Sequence, residues 1–161
     1  MPEFETVELH IPENCNVILG YSHFIKTVED LNEIIKTYIP AADYAISFSE
    51  ASGDRLIRFE GNDKGLISFA NESLAKIAAG HTFLIVLRGA YPIQILTQVK
   101  SCQEVGRIFA ATANPLTVLI FKTSRGNGIA GVADGFSPLG VENEDHKNKR
   151  KKLLRDIGYR S

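Results

Sequence analysis

The uninterrupted apolar run Phe83–Leu87 is the feature of this sequence that most restricts its fold. It lies within His81–Leu87, a nearly continuous apolar segment that predicts a β-strand. The run is far shorter than the ~20 apolar residues that cross a bilayer. The N-terminal residues MPEFETVELH also lack the charged and hydrophobic regions of an export signal. We therefore expect a protein of the cytoplasm that makes no contact with membranes.

Strand and helix patterns alternate around this segment. Apolar residues two apart, or short apolar runs between turn residues, predict strands at Phe4–Ile11, Cys15–Gly20, Asp43–Ser49, Arg55–Glu60, Arg107–Thr112 and Thr117–Thr123. Helical spacing predicts a helix that Thr27 caps and Pro40 ends, one from about Leu66 that Gly80 closes, one at Pro92–Val99 and one at Val141–Ile157. The turn residues at 51–54 predict that the third and fourth strands pair as a hairpin.

Length and order together predict the fold class. The chain has 161 residues, the size of one domain, and no repeat or long linker divides it. We expect a single α/β domain over residues 1–161, with a mixed β-sheet flanked by helices in three layers. A content of 44% hydrophobic residues is enough for a core without disulfides or a structural metal.

Charge and cysteine content exclude several partners. The formal net charge is −1, so no overall field attracts nucleic acid. Cys15 and Cys102 are expected to be reduced, and no zinc-type spacing of cysteine and histidine occurs, so no metal site is predicted. The last helix has acidic residues first and basic residues after them, which suits a solvated helix and its dipole. A contact with phosphate or nucleic acid is the alternative for this helix.

Gly126, Gly128 and Gly131 form the pattern G-x-G-x-x-G. This pattern holds a pyrophosphate only where a helix follows it, and here Ile129 and Val132 indicate extended chain instead. We therefore predict a glycine-rich turn between strands, with a short strand included, and no dinucleotide site.

Two histidines lie beside predicted strands. His23 follows the second strand, just before the helix at Thr27, where backbone N–H groups and the helix dipole favour anions. Lys26 is nearby, so an imidazole here could carry a phosphoryl group. Packing or capping is an equally good interpretation. His81 allows the same two interpretations, and its place before a strand makes it the second choice.

Several polar loop residues are further candidates. Glu50 follows a strand among small residues and could act as a general base or bind ribose, although a loop carboxylate is usually just solvated. Asn62 and Asp63 could also carry chemistry, and the alternative is a turn followed by a helix N-cap. Asn114 precedes Pro115 in a turn, and its carboxamide could pair with an adenine edge.

Six ordered blocks give the sequence a resemblance that covers nearly the whole chain. They are SHFIKTVEDL (Ser22–Leu31), SEASGDRLIRFEGND (Ser49–Asp63), AGHTF (Ala79–Phe83), YPIQIL (Tyr91–Leu96), ATANP (Ala111–Pro115) and GIAGVADG (Gly128–Gly135), with RKKLLRDIGYRS at the end. In these blocks the chain resembles the adenosine-specific kinase family.

The resemblance implies a ligand, a chemistry and an assembly. The ligands of the family are adenosine and AMP, one of its histidines carries a phosphoryl group, and the family is trimeric. Carried over position by position, the blocks imply a pocket of His23, Lys26, Glu50, Ser52, Arg55, Asn62, Asp63, His81 and Asn114. The chain departs from the family at Ser49, where relatives have cysteine, and at Asn127, where they have arginine. The serine at position 49 argues against an essential thiol. Arg125 could supply the guanidinium that the asparagine at position 127 lacks.

Two functions are consistent with these residues. In the first, a phosphohistidine transfers its group to the 5′-hydroxyl of adenosine, with Glu50 or Asp63 as base. In the second, the protein binds adenosine or AMP without turnover, as a sensor or buffer. An oligomeric structural protein with an incidental nucleotide site is a third interpretation. The chain contains no Walker or protein-kinase motif, and no cofactor is predicted.

Overall fold

The computed structural model describes residues 3–159 of the chain. Met1, Pro2, Arg160 and Ser161, which the predicted domain and closing block include, lie outside the described residues. The strands are β1 (Glu3–Leu9), β2 (Cys15–Ser22), β3 (Asp43–Ser49), β4 (Ile57–Gly61), β5 (Thr82–Arg88), β6 (Val105–Thr112), β7 (Leu116–Lys122) and β8 (Asn127–Asp134). The helices are α1 (Thr27–Tyr38), α2 (Lys64–Ile77), α3 (Leu96–Ser101) and α4 (Glu144–Asp156).

Helices and strands alternate along the chain, so the predicted α/β class is confirmed. The strands form two antiparallel sheets, however, and not the one mixed sheet that was predicted. The larger sheet has the order β4-β3-β5-β2-β6, and the smaller has β1-β7-β8. All paired strands in the described chain run antiparallel. The alternation of strands and helices along the chain suggested mixed pairing. However, β5 inserts between β2 and β3, so these two parallel strands never touch.

Three layers enclose the core, as the sequence predicted. On one face of the larger sheet, α1 and α3 bury residues such as Leu31, Ile35 and Val99. On the other face, α2 and the smaller sheet bury residues such as Leu74 and Val118. The larger sheet is therefore covered on both sides, which explains why its central strands are apolar throughout.

Strand β5 is the centre of the larger sheet. All residues from Phe83 to Leu87 have an exposed fraction of 0%. Residues Thr82–Arg88 pair with β2, and residues Phe83–Arg88 pair with β3. The apolar run that first restricted the fold is therefore a strand paired along both edges, and its prediction is confirmed.

The helix ends differ from the predictions in detail. Lys26 occupies the N-cap position of α1, while the Thr27 hydroxyl bonds the Ser22 hydroxyl and donates to the Phe24 carbonyl, both at 2.6 Å. Helix α2 ends at Ile77 because Ala78 turns left-handed (φ 52°). The turn that ends α2 therefore comes two residues before Gly80.

The segment predicted as one helix at Pro92–Val99 is two short pieces. A 3-10 turn spans Pro92–Gln94, and α3 follows at Leu96–Ser101. The side chain of Gln94 accepts a hydrogen bond from the backbone of Tyr91 at 2.7 Å.

The glycine pattern lies in a turn and a strand, as expected. The turn at Thr123–Gly126 joins β7 to β8, which is a full strand of eight residues. A side chain at Gly128 would lie 2.3 Å from the Phe121 ring, so this glycine has a packing role. Strand β8 rather than a helix directly follows the turn, so the pattern lacks the helix that a dinucleotide site of the Rossmann type requires.

The C-terminal part packs differently from the rest. Helix α4 has no buried residue, and Phe136, Leu139 and Val141 before it are almost fully exposed. Within residues 3–159, no helix combines the length and the apolar character needed to cross a membrane.

Candidate functional site

The strands of the larger sheet begin and end along two opposite sides of it. We call these sides the His81 edge and the Arg88 edge, each after a residue that lies there. At the His81 edge, β2 and β3 end and β4, β5 and β6 begin. At the Arg88 edge, β2 and β3 begin and β4, β5 and β6 end. Six of the nine predicted site residues lie at the His81 edge: His23, Lys26, Glu50, Ser52, Arg55 and His81.

His81 occupies a strained position between two strand ends. Its backbone is left-handed (φ 61°), which is uncommon for a residue other than glycine. Its N–H donates to the Ser49 carbonyl at 2.7 Å, and its own carbonyl accepts from the Ser22 N–H at 2.9 Å. The half-buried ring stacks on Phe48 at 5.8 Å between centroids and lies 6.0 Å from the Tyr21 ring. The ends of β2 and β3 therefore fix where this imidazole lies.

His23 and Lys26 lie in the exposed loop between β2 and α1. The His23 backbone N–H donates to the Glu104 carbonyl at 3.1 Å, and its side chain is exposed. Lys26 forms an exposed ion pair with Asp30 at 3.6 Å. These residues are near the start of α1, as predicted, but their side chains are held far less firmly than His81.

Glu50 is a largely enclosed carboxylate at the His81 edge. Its side chain is 13% exposed, and its Oε2 accepts from Arg58 Nε at 2.8 Å. The backbone N–H of Glu50 donates to the Leu56 carbonyl at 3.2 Å across the β3–β4 turn. Arg55 in that turn is left-handed (φ 51°), and the exposed Ser52 accepts its N–H through the backbone carbonyl at 3.2 Å.

A cleft of about 440 Å³ opens between the β3–β4 turn, the end of α2 and the β7–β8 turn. We call it the hairpin cleft. Its charged lining residues are Glu50, Asp54, Arg55 and Arg125. Its apolar lining residues are Ala51, Ile57, Leu74, Ala75, Ala78 and Ala79. The size lies within the ~300–1,000 Å³ of ordinary ligand pockets, and the mixture of walls suits a ligand with an apolar and an anionic end.

A second cleft, of about 570 Å³, shares the β3–β4 turn as a wall. Glu50, Ser52, Arg55 and Arg58 line it, and it extends to Ile25 in the loop that carries His23. The turn at 50–58 therefore faces two neighbouring cavities, and Glu50 and Arg55 line both of them.

Arg125 is brought to the hairpin cleft by the β7–β8 turn. The hydroxyl of Thr123 accepts from the N–H groups of Arg125 and Gly126, each at 3.2 Å. Asn127 anchors the turn to the end of α2, since its Nδ2 donates to the Ile77 carbonyl at 3.0 Å. Asn127 thus has a structural role at the end of α2, and Arg125 supplies a guanidinium at the cleft.

Two residues of the cleft region were not anticipated. Asp54 lines the hairpin cleft, and Arg58 pairs with Glu50. Both lie in the block SEASGDRLIR, where the sequence predicted a turn at 51–54 but gave these two side chains no role in the site. The identity of the Glu50 partner depends on the β3–β4 register, which the sequence does not show.

Asn62 and Asp63 lie at the opposite, Arg88 edge. The Asn62 carboxamide accepts from the Tyr44 N–H at 2.8 Å and donates to the Ala42 carbonyl at 3.0 Å. Asp63 caps α2 by accepting from the Leu66 N–H at 2.9 Å and pairs with Arg88 at 2.6 Å. The structure thus gives both residues local roles, in the turn and in the helix cap.

Asn114 also lies at the Arg88 edge, beyond the end of β6. Its Nδ2 donates to Asp134 Oδ1 at 3.1 Å, and its N–H donates to the Thr112 hydroxyl at 2.9 Å. A further cleft of about 540 Å³ lies at this edge, but Asn62, Asp63 and Asn114 do not line it. The structure therefore does not bring these three residues together with the histidines.

Burial disfavours the thiolate form of both cysteines. Burial raises the pKa of Cys15 above its ordinary value. Burial, followed by the neighbouring Glu104 carboxylate, raises the pKa of Cys102 to about 12. Because only the thiolate is nucleophilic, the site does not depend on either residue as a nucleophile.

One family model matches nearly the whole chain. The family model described as "Adenosine specific kinase" matches residues 7–160. The solved structure of the PH1918 protein from Pyrococcus horikoshii OT3 superimposes with a TM-score of 0.95 at 35% identity, covering 100% of this chain and 99% of that one. A search of the curated proteins found no match.

The ion pair of Asp63 predicts a pH dependence of stability. The Leu66 N–H and then Arg88 hold the pKa of Asp63 below its ordinary value of 3.8. The stabilisation is therefore complete above 3.8 and is lost as the pH falls from there through the lower folded pKa. Asp63→Asn should lower the urea midpoint at neutral pH. The difference in midpoint between this variant and wild type should shrink as the pH falls below 3.8.

Asp54→Asn is the matched control, because the exposed Asp54 has no ion pair within residues 3–159. Its urea midpoint should follow wild type throughout. A deficit in Asp63→Asn that stays constant across the acid range would contradict the assignment.

Proposed function

The chain belongs to the adenosine-specific kinase family, and on that premise we propose that it binds adenosine and AMP at the His81 edge. We propose further that a histidine there exchanges a phosphoryl group with the 5′-oxygen of the nucleoside. The observation that supports this function best is the hairpin cleft, which combines apolar walls, two arginines and two carboxylates and is lined by Gly80, the residue before His81.

The lining of the hairpin cleft suits each part of AMP. Ile57, Ala75 and Ala78 offer an apolar surface for the adenine ring. Arg55 and Arg125 lie on turns at the rim, where a guanidinium can form paired hydrogen bonds with a phosphate. Glu50 lines the same cleft, and its carboxylate is an acceptor for a ribose hydroxyl.

We assign the phosphoryl-carrying role to His81 ahead of His23. The sequence position favoured His23, but the His23 side chain is exposed, whereas His81 is half-buried and fixed by two backbone hydrogen bonds. A left-handed backbone at a histidine costs free energy, and such strain is found most often at functional sites. His81 also directly follows Gly80, which lines the hairpin cleft.

The proposed step is an in-line transfer. The 5′-oxygen of adenosine forms a bond to phosphorus while the bond from phosphorus to the imidazole nitrogen breaks. The electron pair of that bond returns to the ring nitrogen, and the hydroxyl proton, taken first by Glu50, passes through solvent to that nitrogen. The products are AMP and neutral histidine. Arg55 and Arg125 offset the charge on the phosphoryl oxygens, since such transfers depend mainly on positioning and electrostatics.

Chemical phosphorylation tests this step directly. The protein is treated with phosphoramidate, which transfers its phosphoryl group to a histidine nitrogen and releases ammonia, and intact mass is then recorded. We expect an acid-labile gain of one phosphoryl group, its loss on adding adenosine, and the appearance of AMP. His81→Asn should abolish the AMP product, because asparagine tolerates the left-handed backbone but has no imidazole.

His23→Asn is the matched control and should form AMP as wild type does. Loss of AMP in His23→Asn alone would transfer the role to His23. A wild-type adduct that adenosine never discharges, alongside saturable AMP binding, would leave a non-catalytic sensor or binding protein and contradict the transfer.

We also propose a homotrimer in the cytoplasm, following the family resemblance. The free thiols of Cys15 and Cys102 suit a reducing compartment. The exposed fractions of Phe136, Leu139 and Val141 reach 88% or more, and exposed apolar groups of this kind mark interaction surfaces. A second copy of the chain would bury these side chains.

Introducing negative charges into this segment tests the assembly, and light scattering measures the result. Leu139→Glu combined with Val141→Glu should convert the trimer into monomers, because two carboxylates cannot be buried without partners. Lys149→Glu, on the exposed face of α4, is the control and should stay trimeric. A monomeric wild-type protein would contradict the trimer, and a trimeric double variant would contradict the role of the segment.

A further inference from the structure

Three potential metal ligands converge away from the hairpin cleft. Asp30 lies in the first turn of α1, Cys102 ends α3, and Glu104 directly precedes β6. One ligand atom from each residue lies within 4.8 Å of the other two. The first turn of α1 and the connection between α3 and β6 therefore bring two carboxylates and a thiol to one point.

Glu104 provides a second, independent observation. Its exposed fraction is only 4%, and its Oε1 has no hydrogen-bond partner although it is inaccessible to solvent. A buried carboxylate oxygen without a partner is costly, and native proteins normally pair such groups or use them as metal ligands. The nearby Lys26 does not fill this role, because it is exposed and pairs with Asp30 instead.

We propose that Asp30, Cys102 and Glu104 bind a zinc ion. Zinc accepts sulfur and carboxylate oxygen together, with bonds of about 2.3 Å and about 2.0–2.2 Å and four ligands in a tetrahedron. The three side chains provide three ligands and a water molecule completes the set. Magnesium and calcium prefer oxygen ligands alone, so the thiolate selects against them. As the zinc–sulfur bond forms, the thiol proton leaves to solvent.

The site would connect α1 to the start of β6. Glu104 already accepts the backbone N–H of His23 through its carbonyl at 3.1 Å, and its side chain lies near Asp30 in the first turn of α1. A zinc ion bound to Asp30 and Glu104 would fix this loop further. Because a ligand of the folded state alone stabilises that state, zinc should raise the melting temperature.

Metal titration of the full-length protein tests the site without any activity assay. Zinc affinity is measured by competition with a chromogenic chelator, and cobalt(II) is used as a spectroscopic probe. We expect one high-affinity zinc ion per chain and a cobalt-to-thiolate charge-transfer band. Cys102→Ala should abolish the band and weaken zinc binding at least roughly tenfold, and the near-isosteric Glu104→Gln should weaken it similarly.

Cys15→Ala is the matched control, since Cys15 is the other free cysteine and lies in the core away from the cluster. It should keep both the band and the affinity. The proposal is overturned if wild type gives no charge-transfer band, or if Cys102→Ala and Glu104→Gln bind zinc as wild type does. The wild-type spectrum decides the question even if a variant fails to fold.

Discussion

The antiparallel insertion of β5 between β2 and β3 is the constraint on which the other features depend. Its residues Phe83–Leu87 are fully buried, and their burial on both faces requires a helix layer on one side and α2 with the smaller sheet on the other. Because β5 runs opposite to its neighbours, its first residues meet the last residues of β2 and β3. His81, immediately before β5, is therefore held between Ser22 and Ser49.

The same pairing separates the polar residues of the chain into two groups. Glu50 follows β3 and faces the hairpin cleft, whereas Asp63 lies beyond the end of β4, at the opposite edge. A ligand held by Glu50 and the arginines therefore does not reach Asp63, and Glu50 is the base that the proposed transfer uses. Asp63 instead stabilises the start of α2 and the ion pair with Arg88.

Local patterns predicted most elements, because the signals for them lie within a few residues. Strand β3 and helix α1 have the predicted bounds to within two residues, and β5 to within one. Strand pairing depends on contacts between distant segments, so the two-sheet arrangement was not visible. For the same reason the sequence identified His81 and Glu50 as candidates but could not separate them from Asn62.

The central claim is that the hairpin cleft holds the phosphate of AMP, and calorimetric titration of Arg125→Gln tests it most directly. Loss of a charged hydrogen bond should weaken AMP binding roughly tenfold and leave adenosine binding unchanged, because adenosine has no phosphate. Arg150→Gln, in the exposed helix α4, should bind both ligands as wild type does. Unchanged AMP binding in Arg125→Gln, or an equal loss for adenosine, would contradict the claim.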